Sequence, residues 1–152
     1  MADALIRIQK LTATARNPVR KTKGAAGFDL HADLTDPLVI QPGQRALVPT
    51  GLAMAIPQGF EGCVRPRSGL AWKQGLTVLN APGTIDSDYR GEVKVILYNA
   101  SGDAVTIAPE DRIAQMVIQR LLDVRWETME FMGESQLDET ERGSGGFGST
   151  GV

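Results

Sequence analysis

The chain has 152 residues, enough for one ordinary domain, and its 16 basic and 18 acidic side chains leave a net charge of -2, so neither diffuse nucleic-acid binding nor attraction to an acidic membrane is expected. A single cysteine, Cys63, and a single histidine, His31, exclude an internal disulfide and a Cys/His structural zinc site. MADALIRIQKL carries no apolar leader region, and no stretch approaches the ~18 apolar residues of a membrane span, so a soluble cytoplasmic protein is expected.

Along the chain, short apolar runs alternate with Pro, Gly, Asn and Asp at spacings that suit an all-β sandwich or barrel. ALIRIQKL reads as a strand. FDLHADL follows with period two, placing Phe28, Leu30, Ala32 and Leu34 on one face and Asp29, His31 and Asp33 on the other. That second face reads as solvated, with His31 a surface residue. DPLVIQPGQ and IPQGFEG supply turns on either side of the strand RALVPTGLAMAI. Cys63, in the next run, reads as a small buried hydrophobe entering the core. SGLAWKQG is the one short helix, with Ser68 as its cap and Gly75 as its stop. EVKVILYNAS is a strand, and RIAQMVIQRLL, rich in β-formers, is read as strand too. After Trp126 the chain turns acidic and then glycine-rich, with too few apolar residues for a core strand. The division is a β domain over residues 1–136 and an arm over 137–152.

The arm's GFGSTG satisfies G-x-G-x-x-G, but only Val152 follows its last glycine, and a dinucleotide loop needs a helix there to receive the phosphates. Two internal stretches could carry chemistry. VRPRSGLAWKQG combines a rigid Pro66, the fixed charge of Arg67, the hydroxyl of Ser68 and the open backbone of Gly69, parts that suit a phosphate and equally suit a strand turning into a helix. NAPGTIDSDYRGE sets Asp86 and Asp88 beside Tyr89 and Arg90, either as a polar hairpin tip or as a carboxylate held at a pocket by Ile85 and Tyr89.

Taken in order, GAAGFDL, RPRSGLA, GTIDSDYRGEV, DRIAQM and RGSGGFGSTG resemble the five motifs of the trimeric dUTPase (deoxyuridine 5'-triphosphate nucleotidohydrolase) family, from about Gly24 to Gly151. The fourth motif departs from the family's Pro-Gly-Glu by reading Pro109-Glu110-Asp111, which bears on the geometry of that turn and not on the arginine or glutamine after it.

The resemblance implies a β jelly-roll homotrimer with active sites shared between subunits. It would hydrolyse dUTP to dUMP and pyrophosphate with Mg2+, keeping uracil out of DNA and supplying dUMP for thymidylate synthesis. By the same resemblance Asp86 would orient and deprotonate the water that attacks the α-phosphorus. Arg67, Ser68, Gly69 and Gln115 would contact phosphate, with Arg112 structural. Asn80 and Thr84 belong to the hairpin that reads uracil, and Tyr89 would lie against the sugar, leaving no room for a 2′-hydroxyl. The metal would be held by phosphates and water, with no first-shell protein ligand and Asp29 as an outer-shell contact. From the arm, Arg142 would neutralise phosphate, Phe147 stack on uracil, and Gly148, Ser149 and Thr150 close on the terminal phosphate. Two other readings are weaker. A related dCTP deaminase on the same fold would need a catalytic glutamate and a serine-rich phosphate motif where this chain has GTIDSDY and RPRSGLA. A nucleotide-binding regulator would not need the water-orienting carboxylate.

Overall fold

A computed structural model describes residues 4–130 and 137–146. Its first unit ends at Leu122 and its second begins at Asp123. The described residues of the first unit form ten strands and one helix: β1 (Arg7–Lys10), β2 (Phe28–His31), β3 (Leu38–Ile40), β4 (Arg45–Ala55), β5 (Phe60–Arg65), α1 (Ser68–Gln74), β6 (Leu76–Val78), β7 (Gly83–Ile85), β8 (Glu92–Asn99), β9 (Val105–Ile107) and β10 (Arg112–Arg120). Two four-stranded sheets, ordered β1-β4-β8-β6 and β2-β10-β5-β7, and a β3-β9 ribbon make up the barrel, with every pairing antiparallel. The expected all-β, jelly-roll-like class is therefore the one found.

Period-two patterning explains how the sheets close over one another. In β8, Val93, Val95 and Leu97 are buried while Lys94 is exposed and Ile96 half-exposed. These three meet Val48, Leu52 and Met54 of β4, Leu30 of β2, and Ile113, Ala114 and Met116 of β10 in a single apolar cluster. Fully burying each such side chain contributes roughly 1.5–3 kcal/mol. RIAQMVIQRLL is strand from Arg112 to Arg120, in keeping with its β-branched content, and leaves Leu121 and Leu122 outside.

β4 crosses a bulge between Pro49 and Ala53, where Gly51 takes a left-handed φ of 65°. A side chain at Gly51 would meet Asp33 Oδ2 at 2.3 Å. That Asp33 carboxylate, placed by alternation on a solvated face, instead accepts hydrogen bonds from Thr12 Oγ1 at 2.5 Å and Thr14 Oγ1 at 2.6 Å, tying down the segment after β1.

The helix starts one residue away from its expected cap. Arg67 occupies the N-cap position, extended at φ -96° and ψ 128° and without a side-chain cap bond, so Ser68 is the first helical residue and not the cap. Gly75 ends the helix in the left-handed region at φ 62°, as expected. Cys63 is buried but stands apart from the core cluster, because its neighbours Gly62 and Val64 take the inward positions of β5. The second unit has no strand among its described residues.

Candidate functional site

The register of the β2-β10-β5-β7 sheet gathers several of the predicted site residues. Gln115 of β10 pairs with Asp29 of β2 on one side and Arg65 of β5 on the other. Directly opposite residues in an antiparallel pair share a face. Two positions along, Val117 pairs with Cys63, which pairs with Thr84 of β7. The intervening Met116 and Val64 point into the core, so Asp29, Gln115, Cys63 and Thr84 stand on the sheet's outer face. A cleft of about 520 Å³ there is lined by Cys63, Arg65, Pro66, Thr84 and Gln115.

Asp29 is only 9% exposed, which corrects the expectation of a solvated face: the side away from the core is covered by cations. Its Oδ1 lies 3.3 Å from Arg67 Nε and its Oδ2 accepts from Arg112 Nη1 at 3.1 Å. Arg67 Nη1 also donates to the Arg112 carbonyl at 2.9 Å. A nearly buried carboxylate is costly unless paired in this way. Gln115 Nε2 donates to the Pro66 carbonyl at 3.0 Å, fastening β10 to the entry of α1. The predicted contacts Arg67 and Gln115 are thus joined through Asp29, Arg112 and Pro66. Ser68 and Gly69 are exposed at the helix start, and no atom lies within 4 Å of where a side chain at Gly69 would begin.

His31, read as a surface residue, is half-buried, and its Nδ1 is buried with no hydrogen-bond partner. Burial pushes its pKa below 6.5; Asp29 opposes that shift, while Arg16, Arg112 and Lys21 add to it.

The hairpin between β6 and β8 carries the rest. Asn80 is exposed, and its amide lies close over the Gly83 backbone. Asp86 follows β7 in an exposed turn closed by Tyr89 N–H donating to the Asp86 carbonyl at 3.2 Å. It lines a separate cleft of about 850 Å³ with Asp88, Arg90, Arg7 and Glu61. Arg67, Ser68, Gly69 and Gln115 do not line that cleft. Tyr89 is 43% exposed, and its hydroxyl donates to the Glu92 carbonyl at 2.9 Å. In the second unit Arg142 Nε donates to the Gly145 carbonyl at 2.8 Å. Phe147, Gly148, Ser149 and Thr150 lie outside the described residues.

Three supporting roles escaped the sequence reading: those of Gly27 and Gly91, whose missing side chains admit Gln115 and Tyr89, and that of Arg90, named there only as a neighbour of Asp86, which donates to two carbonyls of the Asp86 turn. Only their position inside the motifs could have marked them. Among the described residues, no group of three or more His, Cys, Asp or Glu side chains could hold a metal ion, and no helix is long and apolar enough to cross a membrane.

The dUTPase family model matches residues 13–151. A deoxyuridine 5'-triphosphate nucleotidohydrolase of Rhizobium leguminosarum bv. trifolii is 58% identical over 138 residues, covering 89% of this chain and 85% of that protein. One from Nautilia profundicola is 53% identical over 146 residues, covering 96% and 98%. Among solved structures, the Staphylococcus bacteriophage 80alpha dUTPase with dUPNHPP superposes with a TM-score of 0.82 at 28% identity, covering 97% of this chain and 99% of that one.

Proposed function

The chain belongs to the dUTPase family, and from that premise we propose that it hydrolyses dUTP to dUMP and pyrophosphate. The observation that carries this reading is the family match over residues 13–151, together with the outer sheet face on which Asp29, Gln115 and Thr84 stand in register. In the reaction a water oxygen attacks the α-phosphorus, the bond to the α,β-bridging oxygen breaks, and pyrophosphate leaves with that oxygen. Asp86 aims the water and takes its proton. An aspartate is a weak base near neutrality, so most of the rate comes from positioning and from neutralising phosphate charge.

Arg67, Ser68, Gly69 and Gln115 contact the phosphates. The open space at Gly69 supports this, because the chain's own packing does not require a glycine there. Thr84 and Asn80 flank uracil. Cytosine would place a donor where uracil has an acceptor and leave polar groups unpaired, which discriminates strongly. Tyr89 lies against the sugar and excludes a 2′-hydroxyl.

Both oxygens of Asp29 are paired with arginines, a donor set that suits a cation carried in by the triphosphate better than one caged by protein. Asp29 would reach it through water, and the Mg2+ supplies charge neutralisation on the phosphates. Asp86 lines a different cleft from Gln115, which supports active sites shared between subunits of a homotrimer. The arm from residue 137 closes such a site with Arg142, Phe147, Gly148, Ser149 and Thr150, excluding water around the bound nucleotide. In a cytoplasmic setting the product dUMP feeds thymidylate synthesis, and removal of dUTP keeps uracil out of DNA.

Pyrophosphate release from dUTP, dTTP, dCTP and UTP is the direct test. Turnover confined to dUTP is expected, and conversion of dCTP to dUTP would sink the reading in favour of a deaminase.

A further inference from the structure

We infer that Arg90 is a positioning residue that holds the turn carrying Asp86 in its productive shape, an inference that rests on the reading of Asp86 as the water-orienting carboxylate. Asp86 follows the last residue of β7, and Asp88, Tyr89, Arg90 and Gly91 are exposed with it. Beyond the Tyr89 ring lying over Gly91, the shape of so exposed a turn depends on hydrogen bonds. One bond, from Tyr89 N–H to the Asp86 carbonyl at 3.2 Å, closes the turn.

Arg90 supplies two more. Its Nη1 donates to the Ser87 carbonyl at 2.7 Å and to the Tyr89 carbonyl at 2.9 Å. That nitrogen carries two hydrogens, one for each acceptor. The guanidinium is planar and rigid, so both carbonyls are fixed relative to one plane. The next link anchors the turn to the barrel: Tyr89 Oη donates to the Glu92 carbonyl, and the Glu92 carboxylate accepts from Gly51 N–H at 2.9 Å on β4. Arg90 thus joins the free tip of the hairpin to a base that is already held.

Charge acts in the same direction. Asp86 and Asp88 sit one residue apart, and like charges that close push a turn open. Arg90 lines the same cleft as both and offsets that repulsion. A catalytic carboxylate misplaced by about 1 Å costs on the order of a hundredfold in rate, so a turn left without these bonds would lose turnover before it lost affinity.

Steady-state pyrophosphate release from dUTP by full-length R90A, R90K and D86N, with a thermal melt of each, tests this. R90A is expected to lower kcat by about ten- to a hundredfold with KM and melting temperature near wild type, and R90K, which keeps the charge and part of the bonding, to recover some of that loss. Should R90A not fold, R90K carries the test with a smaller fall in kcat at unchanged KM. Wild-type kcat in R90A, or a loss that appears only in KM and melting temperature and is not relieved by R90K, overturns the inference. D86N separates the two readings: if it turns over like wild type, the assignment of Asp86 fails; if it collapses while R90A does not, only the role of Arg90 fails.

Discussion

Gln115 lies so close over Gly27 that a Cβ on residue 27 would fall 2.2 Å from its Oε1. Gly27 precedes β2, and Gln115 pairs with Asp29 two residues further on, so the glycine leaves the space in which the glutamine amide turns toward Pro66. Gly27→Ala would force Gln115 off its contact with the start of the Arg67 segment. Since Gln115 is proposed to touch phosphate, KM for dUTP is expected to rise by about tenfold, the cost of one lost hydrogen bond to a charged group, with a smaller change in kcat. Steady-state kinetics of G27A beside Q115A checks this: the two variants should behave alike, and a wild-type KM in G27A would refute the coupling.

Tyr89 and Gly91 stand in a similar relation. A side chain at Gly91 would meet Tyr89 Oη at 2.5 Å and Cζ at 2.7 Å, so the ring lies against bare backbone while its hydroxyl donates to the Glu92 carbonyl. Gly91→Ala must lift the ring away. If Tyr89 excludes the 2′-hydroxyl, the kcat/KM ratio of dUTP over UTP should fall in G91A by about tenfold or more, and Tyr89→Phe, which keeps the ring, should preserve most of it. An unchanged ratio in G91A would remove Tyr89 from sugar selection.

Glu110 adopts φ 68°, the left-handed region, at the position where the family's fourth motif carries glycine. The turn is kept nonetheless: Glu110 N–H donates to the Ala32 carbonyl at 2.9 Å, and the Glu110 carboxylate pairs with Arg16. A side chain in that region costs roughly 1–2 kcal/mol, whereas an exposed ion pair returns at most about 1 kcal/mol. Glu110→Gly should therefore raise stability by up to about 1 kcal/mol, and Arg16→Ala should lower it by less than that. Urea unfolding of the two variants measures both, and a destabilised E110G would mean that the ion pair outweighs the strain.

The strands were legible where alternation is strict, as in EVKVILYNAS and the first four residues of FDLHADL, because one face of each must be apolar to close the barrel. The sense of the other face was not legible. Asp29 and His31 alternate away from the core, yet Arg67 and Arg112, more than thirty residues away in sequence, cover the first, and burial takes in Nδ1 of the second. The same contact explains the displaced helix cap. Arg67 stays extended to reach Asp29 and the Arg112 carbonyl, so helical geometry begins only at Ser68. Cys63 is buried, as its sequence reading has it, but the face it takes was not legible: a short run such as FEGCVR does not say which parity faces inward until β10 and β7 fix its register. For the candidate site, the motif residues could be read in order, but the side chains that hold them act through approaches of backbone to ring or amide that have no periodic signature.

His31 gives a pH dependence whose sign is fixed by its surroundings. Its pKa is lowered in the folded chain, first by burial and then by Arg16, Arg112 and Lys21, against an opposing pull from Asp29. Between the folded pKa and the ordinary value of 6.5, the unfolded chain binds more protons than the folded one. Stability therefore rises with pH across that window, is fully present above about 6.5, and is lost as pH falls through the window. His31→Gln removes the titrating ring, so the difference in unfolding free energy between wild type and H31Q should drift in favour of the variant as pH drops from 7.5 toward 5. Urea titrations of both proteins at several pH values supply the comparison. A difference that stays constant with pH would show that the buried Nδ1 finds a protonated form as comfortable as a neutral one, and that the cations around Asp29 do not govern this ring.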